Sequence, residues 1–446
     1  MKRWFFALSV VAAFAWLALS CALAIPWIRG VSAALPWGYT VWVVMGIALL
    51  PGYLMGAMFL SNLLHARPAR LPSVRPVPVS VLICARNEEA SVYRTIRSVV
   101  GQRYDGPITI LCVDNGSTDR TRAEIERAAS ELGRQDRTIL LLTCRRPGKA
   151  HALSEALAHV GTEHFLTVDA DTELEARALA TLLARIHSDG AACVAGNLLA
   201  AEPKTWVGKM QIYDYLLSIA AVKRYQGSYG ATLVAQGAFS AYETSAVRRI
   251  GGWTPGVGED IVLTYRLLAL GRASLYEPRA VGHTAVPERL STLCRQRARW
   301  ARGMFEGLHA VRPWRQSSLY AGYFEALNAS IVYLDLAYVF GFLGGTLLAL
   351  TGATWFVGWM TLLTLPGLIA GSASVYVFQR GIRAVRVRHS ALGLACFFAL
   401  FQPIQSLCSL TGYAQALTRR RLPCCFPTGG RAGPPPPTGR ACVSRF

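Results

Sequence analysis

Apolar residues are unevenly spread along this chain of 446 residues. Trp4–Ile28 and Tyr39–Leu64 are long, almost uninterrupted apolar runs, and Ala326–Leu350, Trp355–Phe378 and Ala391–Leu417 are three more. Each exceeds the ~20 residues that a helix needs to cross ~30 Å of hydrocarbon. From Val77 to Pro313 the pattern is mixed, broken by Gly and Pro, and carries most of the acidic residues. The pattern therefore predicts two transmembrane helices within 1–75, a soluble-type domain over 76–315, three transmembrane helices within 316–420, and a disordered tail over 421–446.

Inside the central domain short β-branched runs alternate with segments of helical spacing. Val77–Cys84 reads as a buried strand, and Val92, Ile96, Val99 and Val100 mark a helix over Glu88–Val100. The alternation continues with a strand Ile108–Val113, a helix Thr118–Leu132, a strand Thr138–Thr143, a helix Lys149–His159 and a strand His164–Val168. Such an order predicts an α/β domain with right-handed crossovers and a mostly parallel sheet. Ligands of such sheets sit beyond the carboxyl ends of the strands, which directs attention to the loops there.

Composition sharpens the membrane reading. Hydrophobic residues make up 52% of the chain and charged residues only 16%, too apolar for an ordinary soluble protein. The net charge of +20 is mostly arginine at the ends of apolar runs, without the basic–aromatic repeats of a nucleic-acid module, so no nucleic-acid partner is expected. His65, Arg67, Arg70 and Arg75 follow the second run, and Arg380, Arg383, Arg386, Arg388 and His389 follow the fourth, whereas Thr351–Thr354 has no Lys or Arg. That bias predicts a cytoplasmic central domain at a bacterial inner membrane. Ala22-Leu23-Ala24 resembles a signal-peptidase site, but the apolar core is long for a signal peptide, and a retained helix is preferred. Arg419, Arg420 and Arg421 run against a five-helix count, which puts the C-terminus outside. The eleven cysteines form no CxxC pair and read as reduced, small apolar residues.

The strand-end loops carry chemistry in a consistent order. The first holds Arg86, Asn87 and Glu88, and the second is Asp114-Asn115-Gly116-Ser117-Thr118-Asp119. The third is Arg145-Arg146-Pro147-Gly148-Lys149, and the fourth Asp169-Ala170-Asp171. Carboxylates for a base and ribose, a cation for phosphate, and a carboxylate pair for a divalent metal together suggest a nucleoside diphosphate.

ARNEE, VDNGSTD, PGKAHAL and VDAD in this order resemble the family 2 glycosyltransferases of GT-A fold, and Gly258-Glu259-Asp260 and Gln296-Arg297-Ala298-Arg299-Trp300 resemble that family's (T/G)ED and QxxRW. QxxRW is the mark of the polymer-making branch, shared by poly-N-acetylglucosamine, chitin-oligomer, hyaluronan and cellulose synthases. The resemblance covers about 77–307; Asn115 stands where many relatives carry Asp, and His151 where they often carry Asn. It implies an inverting, metal-dependent enzyme using a UDP-sugar, with UDP-N-acetylglucosamine foremost, to extend a polysaccharide that is then exported. Single-sugar transfer to a lipid acceptor, and an inactive scaffold or export partner, are the alternatives. Membrane lipids and an accessory membrane subunit are the other expected partners.

The resemblance implies roles residue by residue. Asp260 is the general base and Glu259 holds the acceptor. Asn87, Glu88, Asp114, Lys149, Asp169, Gln296, Arg299 and Trp300 bind the UDP-sugar, Asp169 and Asp171 bind Mg2+ or Mn2+, and Gly237 and Phe239 flank the acceptor. Arg295, Arg297 and Arg302 are expected at lipid headgroups. Each site has a plainer reading. Asp114 suits an Asx turn, Asp171 and the Glu259–Asp260 pair suit helix caps, Lys149 suits a solvated first turn, and the QxxRW helix suits an interfacial amphipathic helix.

Overall fold

The structure is a computed structural model and describes residues 2–65, 71, 76–354, 356, 382 and 391–418. Two long helices open the chain, α1 (Lys2–Ser32) and α2 (Trp37–Leu64), the second interrupted by a π-helical turn at Met45–Leu49. With a helix at Leu319–Leu350, they are the three among the described residues long and apolar enough to cross a membrane. The expected segment Trp355–Phe378 and the tail 421–446 lie outside the described residues.

The domain between them begins with β1 (Val79–Ala85), α3 (Val92–Val100), β2 (Ile108–Asp114), α4 (Thr121–Leu132), β3 (Arg137–Thr143), α5 (Lys149–Ala158), β4 (His164–Asp169) and a short β5 (Thr172–Leu174). It continues through α6 (Ala178–Asp189) and β6 (Cys193–Ala200) to a long helix, α7, over 206–228, whose middle, Asp214–Ala220, is a π-helical turn. β7 (Phe239–Glu243), α8 (Thr244–Arg249), α9 (Glu259–Ala269), β8 (Ser274–Thr284) and α10 (Leu290–Ala310) complete it. The Leu319–Leu350 helix is α11, and α12 spans 391–418.

All eight strands form one sheet in the order β3-β2-β1-β4-β7-β6-β8-β5. β3, β2, β1 and β4 are parallel, as the alternation predicts. The remainder corrects the expectation of a mostly parallel sheet. β7 runs antiparallel to both its neighbours, and β5 antiparallel to β8, so the sheet is mixed. The physical reason lies in the connection: β6 ends and β7 begins at the same edge of the sheet, so the chain, after passing through α7 and an extended run, re-enters on that edge and runs back.

The parallel strands read as continuous apolar runs because both faces are covered. Val79, Val81, Ile83 and Ala85 of β1 join a core with Ile96 of α3, Ile125 of α4 and Leu182 of α6. Leu82, with Leu111, Val113 and Phe165, faces the other way onto Leu153 of α5 and Leu263 of α9. Fully burying each such side chain contributes about 1.5–3 kcal/mol, so register is firmly set and the strand ends are held level.

Two contacts bind α10 into this body. Gly258, just before α9, touches Gly303 of α10 so closely that a Cβ on Gly258 would lie 2.5 Å from the Gly303 Cα. On its other side α10 packs on α12, where Cys294 and Cys408 are joined as a disulfide with their Cα atoms 4.9 Å apart. That pairing departs from the expectation that all the cysteines are thiols.

Candidate active site

The first three strand-end loops are knitted to one another. Asn87 has φ 58°, and its Oδ1 accepts from the Thr118 amide at 2.8 Å while its own amide donates to Ser117 Oγ. Asn115 accepts from the Gly148 amide at 2.8 Å and donates to the carbonyls of Cys144 and Arg146. The loops after β1, β2 and β3 thus form one rim, and Asn115, noted in the sequence only as a departure from Asp, is its tie.

Asp114 is buried at the end of β2 and accepts from the Ser117 amide at 3.0 Å, so the Asx-turn reading is realised. Asp119 accepts from the Thr121 and Glu89 amides, a capping role. Glu88 lies beside the rim. Burial raises its pKa, Ser91 opposes this, and the charges of Asp169 and Asp119 raise it further.

The fourth loop supplies the carboxylate pair. Asp169 ends β4 and receives the Lys149 ammonium from the first turn of α5. Gly148 caps that helix at φ 119°, a conformation a Cβ would strain, which aims Lys149 across the sheet edge. Burial works against the Lys149 charge, but the carboxylates of Asp169, Glu259 and Asp260 more than offset it and raise its pKa. Asp171 follows; burial, then Asp169 and Glu88, push its carboxyl up to about 6. Thr172 continues as β5, so the reading of Asp171 as a helix cap falls away. Mutual repulsion between two carboxylates fits a cation, and two oxygen donors suit Mg2+ or Mn2+, which takes its other ligands from phosphate and water. Among the described residues no group of three or more His, Cys, Asp or Glu is placed to hold a metal by itself.

The opposite wall comes from the turn before β7 and the start of α9. The Gly237 amide donates to Asp260 Oδ2 at 3.3 Å, and the Ile261 amide donates to Oδ1 at 2.8 Å. A Cβ on Gly237 would lie 3.0 Å from Lys149 Nζ, so this glycine marks where the acid wall and the lysine meet. Burial and the neighbouring Asp260 push Glu259 up to about 7, with Lys149 opposing. Lys149, Asp169, Gly237, Glu259 and Asp260 therefore converge.

Phe239 does not join them. It opens β7 between β4 and β6, fully buried, with its ring against Gly196, where a Cβ would lie 2.2 Å away. A strand covered on both faces leaves no surface there for a sugar, so its expected acceptor contact is withdrawn. On α10, Arg299 is exposed and Trp300 keeps 39% of its surface open, while Gln296 Oε1 is buried without a hydrogen-bond partner among the described residues. Arg297, expected at headgroups, is instead buried and ion-paired with Asp214 of α7; Arg302 pairs with Glu306. Sequence reasoning also missed Lys223 of α7. It is 8% exposed, with its pKa lowered to about 7 by burial against an opposing effect of Asp260. No local motif marks it.

Residues 80–251 match the profile of the glycosyl transferase family 2. This region is a family 2 glycosyltransferase domain. Relatives of the domain-bearing chain include poly-β-1,6-N-acetyl-D-glucosamine synthases. One from Staphylococcus epidermidis strain RP62A is 32% identical over 271 residues, covering 58% of this chain and 64% of that protein. One from Staphylococcus aureus strain COL is 29% identical over 268 residues, with the same coverage. The chain thus spans a little under two thirds of the length of the curated relatives it matches. Among solved structures, the mannosyltransferase PcManGT from Pyrobaculum calidifontis, in complex with GDP-Man and Mn2+, superposes with a TM-score of 0.53 at 19% identity, covering 83% of this chain and 99% of that one. At that identity the likeness speaks for the fold, and the family 2 domain has the GT-A fold with a mixed sheet.

Proposed function

We propose that the chain is an inverting membrane glycosyltransferase that moves a sugar from a UDP-sugar, with UDP-N-acetylglucosamine foremost, onto a growing polysaccharide. The observation that carries this reading is the convergence of Asp260 and Glu259 with Lys149 and Asp169 across the Gly237 turn. The similarity to poly-β-1,6-N-acetyl-D-glucosamine synthases supports the choice of sugar. The three long apolar helices support a membrane site, with the domain on the cytoplasmic side by the distribution of arginine.

In this mechanism Asp114, Glu88 and Asn87 form the nucleoside end of the donor pocket, and Lys149 faces the diphosphate. Asp169 and Asp171 would hold Mg2+ or Mn2+, which when bound offsets the charge growing on the departing diphosphate. Two backbone amides, of Gly237 and Ile261, orient the Asp260 carboxylate. It accepts the proton of the acceptor hydroxyl as that oxygen bonds to the anomeric carbon. The bond from that carbon to the UDP oxygen breaks on the opposite face, which inverts the centre. Glu259, with its carboxyl near neutrality, steadies a neighbouring acceptor hydroxyl. Incubating membranes that contain the protein with a panel of labelled UDP-sugars tests the reading. Label from UDP-N-acetylglucosamine should enter a polymer with release of UDP; no UDP release from any donor would refute it.

A further inference from the structure

The π-helical turn at Asp214–Ala220 places an ion pair under the QxxRW helix. Asp214 and Arg297 lie 2.6 Å apart, Oδ2 to Nη2, with side chains only 1% and 4% exposed. Close as they are, the guanidinium hydrogens do not point along the contact. Asp214 Oδ1 and Arg297 Nε are left without hydrogen-bond partners among the described residues. A buried pair so poorly satisfied is a weak stabiliser and is often matched by apolar residues of similar size, so its use has to be sought in what it fixes. The Arg297 guanidinium carbon sits 4.2 Å from the centre of the Trp300 ring, one helical turn on. One face of the indole is thereby covered, and 39% of the residue stays open. The adjacent Tyr215 is buried in the main core, which anchors the π turn beneath α10.

We propose that Arg297 is a positioning residue for acceptor binding: held by Asp214, it fixes the Trp300 indole flat so that the free face receives a sugar ring. This rests on the transferase reading above, and it moves Trp300, which the QxxRW resemblance assigns to the UDP-sugar, to the acceptor sugar. Stacking needs a planar cation, so Lys should not replace Arg. Three variants separate the effects: Arg297→Lys, Arg297→Met, and the double variant Asp214→Leu with Arg297→Met, which removes both buried charges and protects folding.

Two measurements are made on full-length protein in detergent. The first is transfer as a function of acceptor concentration, beside UDP affinity by calorimetry. All three variants should lose ~10-fold in kcat/KM for the acceptor, the loss expected of one desolvated cation–π contact, with UDP affinity kept. The second is the 19F resonance of Trp300 in 5-fluorotryptophan-labelled protein, assigned by Trp300→Phe. It should shift and broaden in every variant. An unmoved resonance, or a folded double variant with parental acceptor kinetics, overturns the proposal. A parent protein inert toward every UDP-sugar would sink the transferase reading instead, because the fluorine signal reports indole position without turnover.

Discussion

Asp260 and Lys223 are the two side chains whose chemistry separates most cleanly by substitution. If Asp260 is the base, its work begins after the donor is bound. Asp260→Asn should therefore keep UDP affinity while transfer falls by ~10²–10⁴; parental transfer would remove the assignment. Asp171→Asn should weaken metal and UDP binding together, and in the parent excess chelator should abolish transfer until Mn2+ or Mg2+ is restored. Lys223 gives a test by pH. Its folded pKa, about 7, lies below the ordinary 10.5, so folding sheds a proton that the unfolded chain keeps. The cost is fully present below about pH 7, and parental stability rises from there toward pH 10 as the unfolded state also deprotonates. Lys223→Met should raise Tm, with a larger gain near pH 6 than near pH 9. A gain equal at both would show that the amine is not titrating there.

At the scale of elements, α9 and α10 meet through glycine. A Cβ on Gly258 would lie 2.6 Å from the Gly303 carbonyl, and one on Gly307 would lie 2.6 Å from Ile261 Cγ2. Backbone cannot step aside as a side-chain tip can, so Gly258→Ala should cost about 1–3 kcal/mol by overpacking. It should also move Glu259 and Asp260, which immediately follow, so transfer should fall even where the variant is folded; chemical unfolding beside turnover separates the two. This scale also shows what the sequence could disclose. Asp114, Lys149, Asp169 and Asp260 were legible because each follows a short apolar strand or opens a helix, and those are local signals. Phe239 was misjudged because a strand covered on both faces and an exposed loop can share the same few residues. The antiparallel β7 and the Asp214–Arg297 pair were illegible because both depend on partners distant in the chain. Nothing in the residues 214–220 announces a π turn.

For the whole molecule, the distribution of arginine assigns each part a side of the membrane. On the arginine-based reading, a cysteine introduced at Gly161, in the connection between α5 and β4, should resist an impermeant reagent applied from outside. One at Thr351, at the end of α11, should react. The reverse pattern would turn the proposed topology over.

The reversed direction of β7 has a practical corollary for chimeras. Because β7 starts where β4 ends, Val168 pairs with Phe239, and the Ala238 carbonyl accepts from the Asp169 amide. The turn carrying Gly237 is therefore indexed directly to the carboxylate pair. A cassette exchanged between relatives at 236–243 would bring its own alignment device, the ring of Phe239 seated on Gly196. A shorter exchange ending before Phe239 would import a new turn onto an old anchor. The longer graft should thus transplant acceptor preference more cleanly than the shorter one.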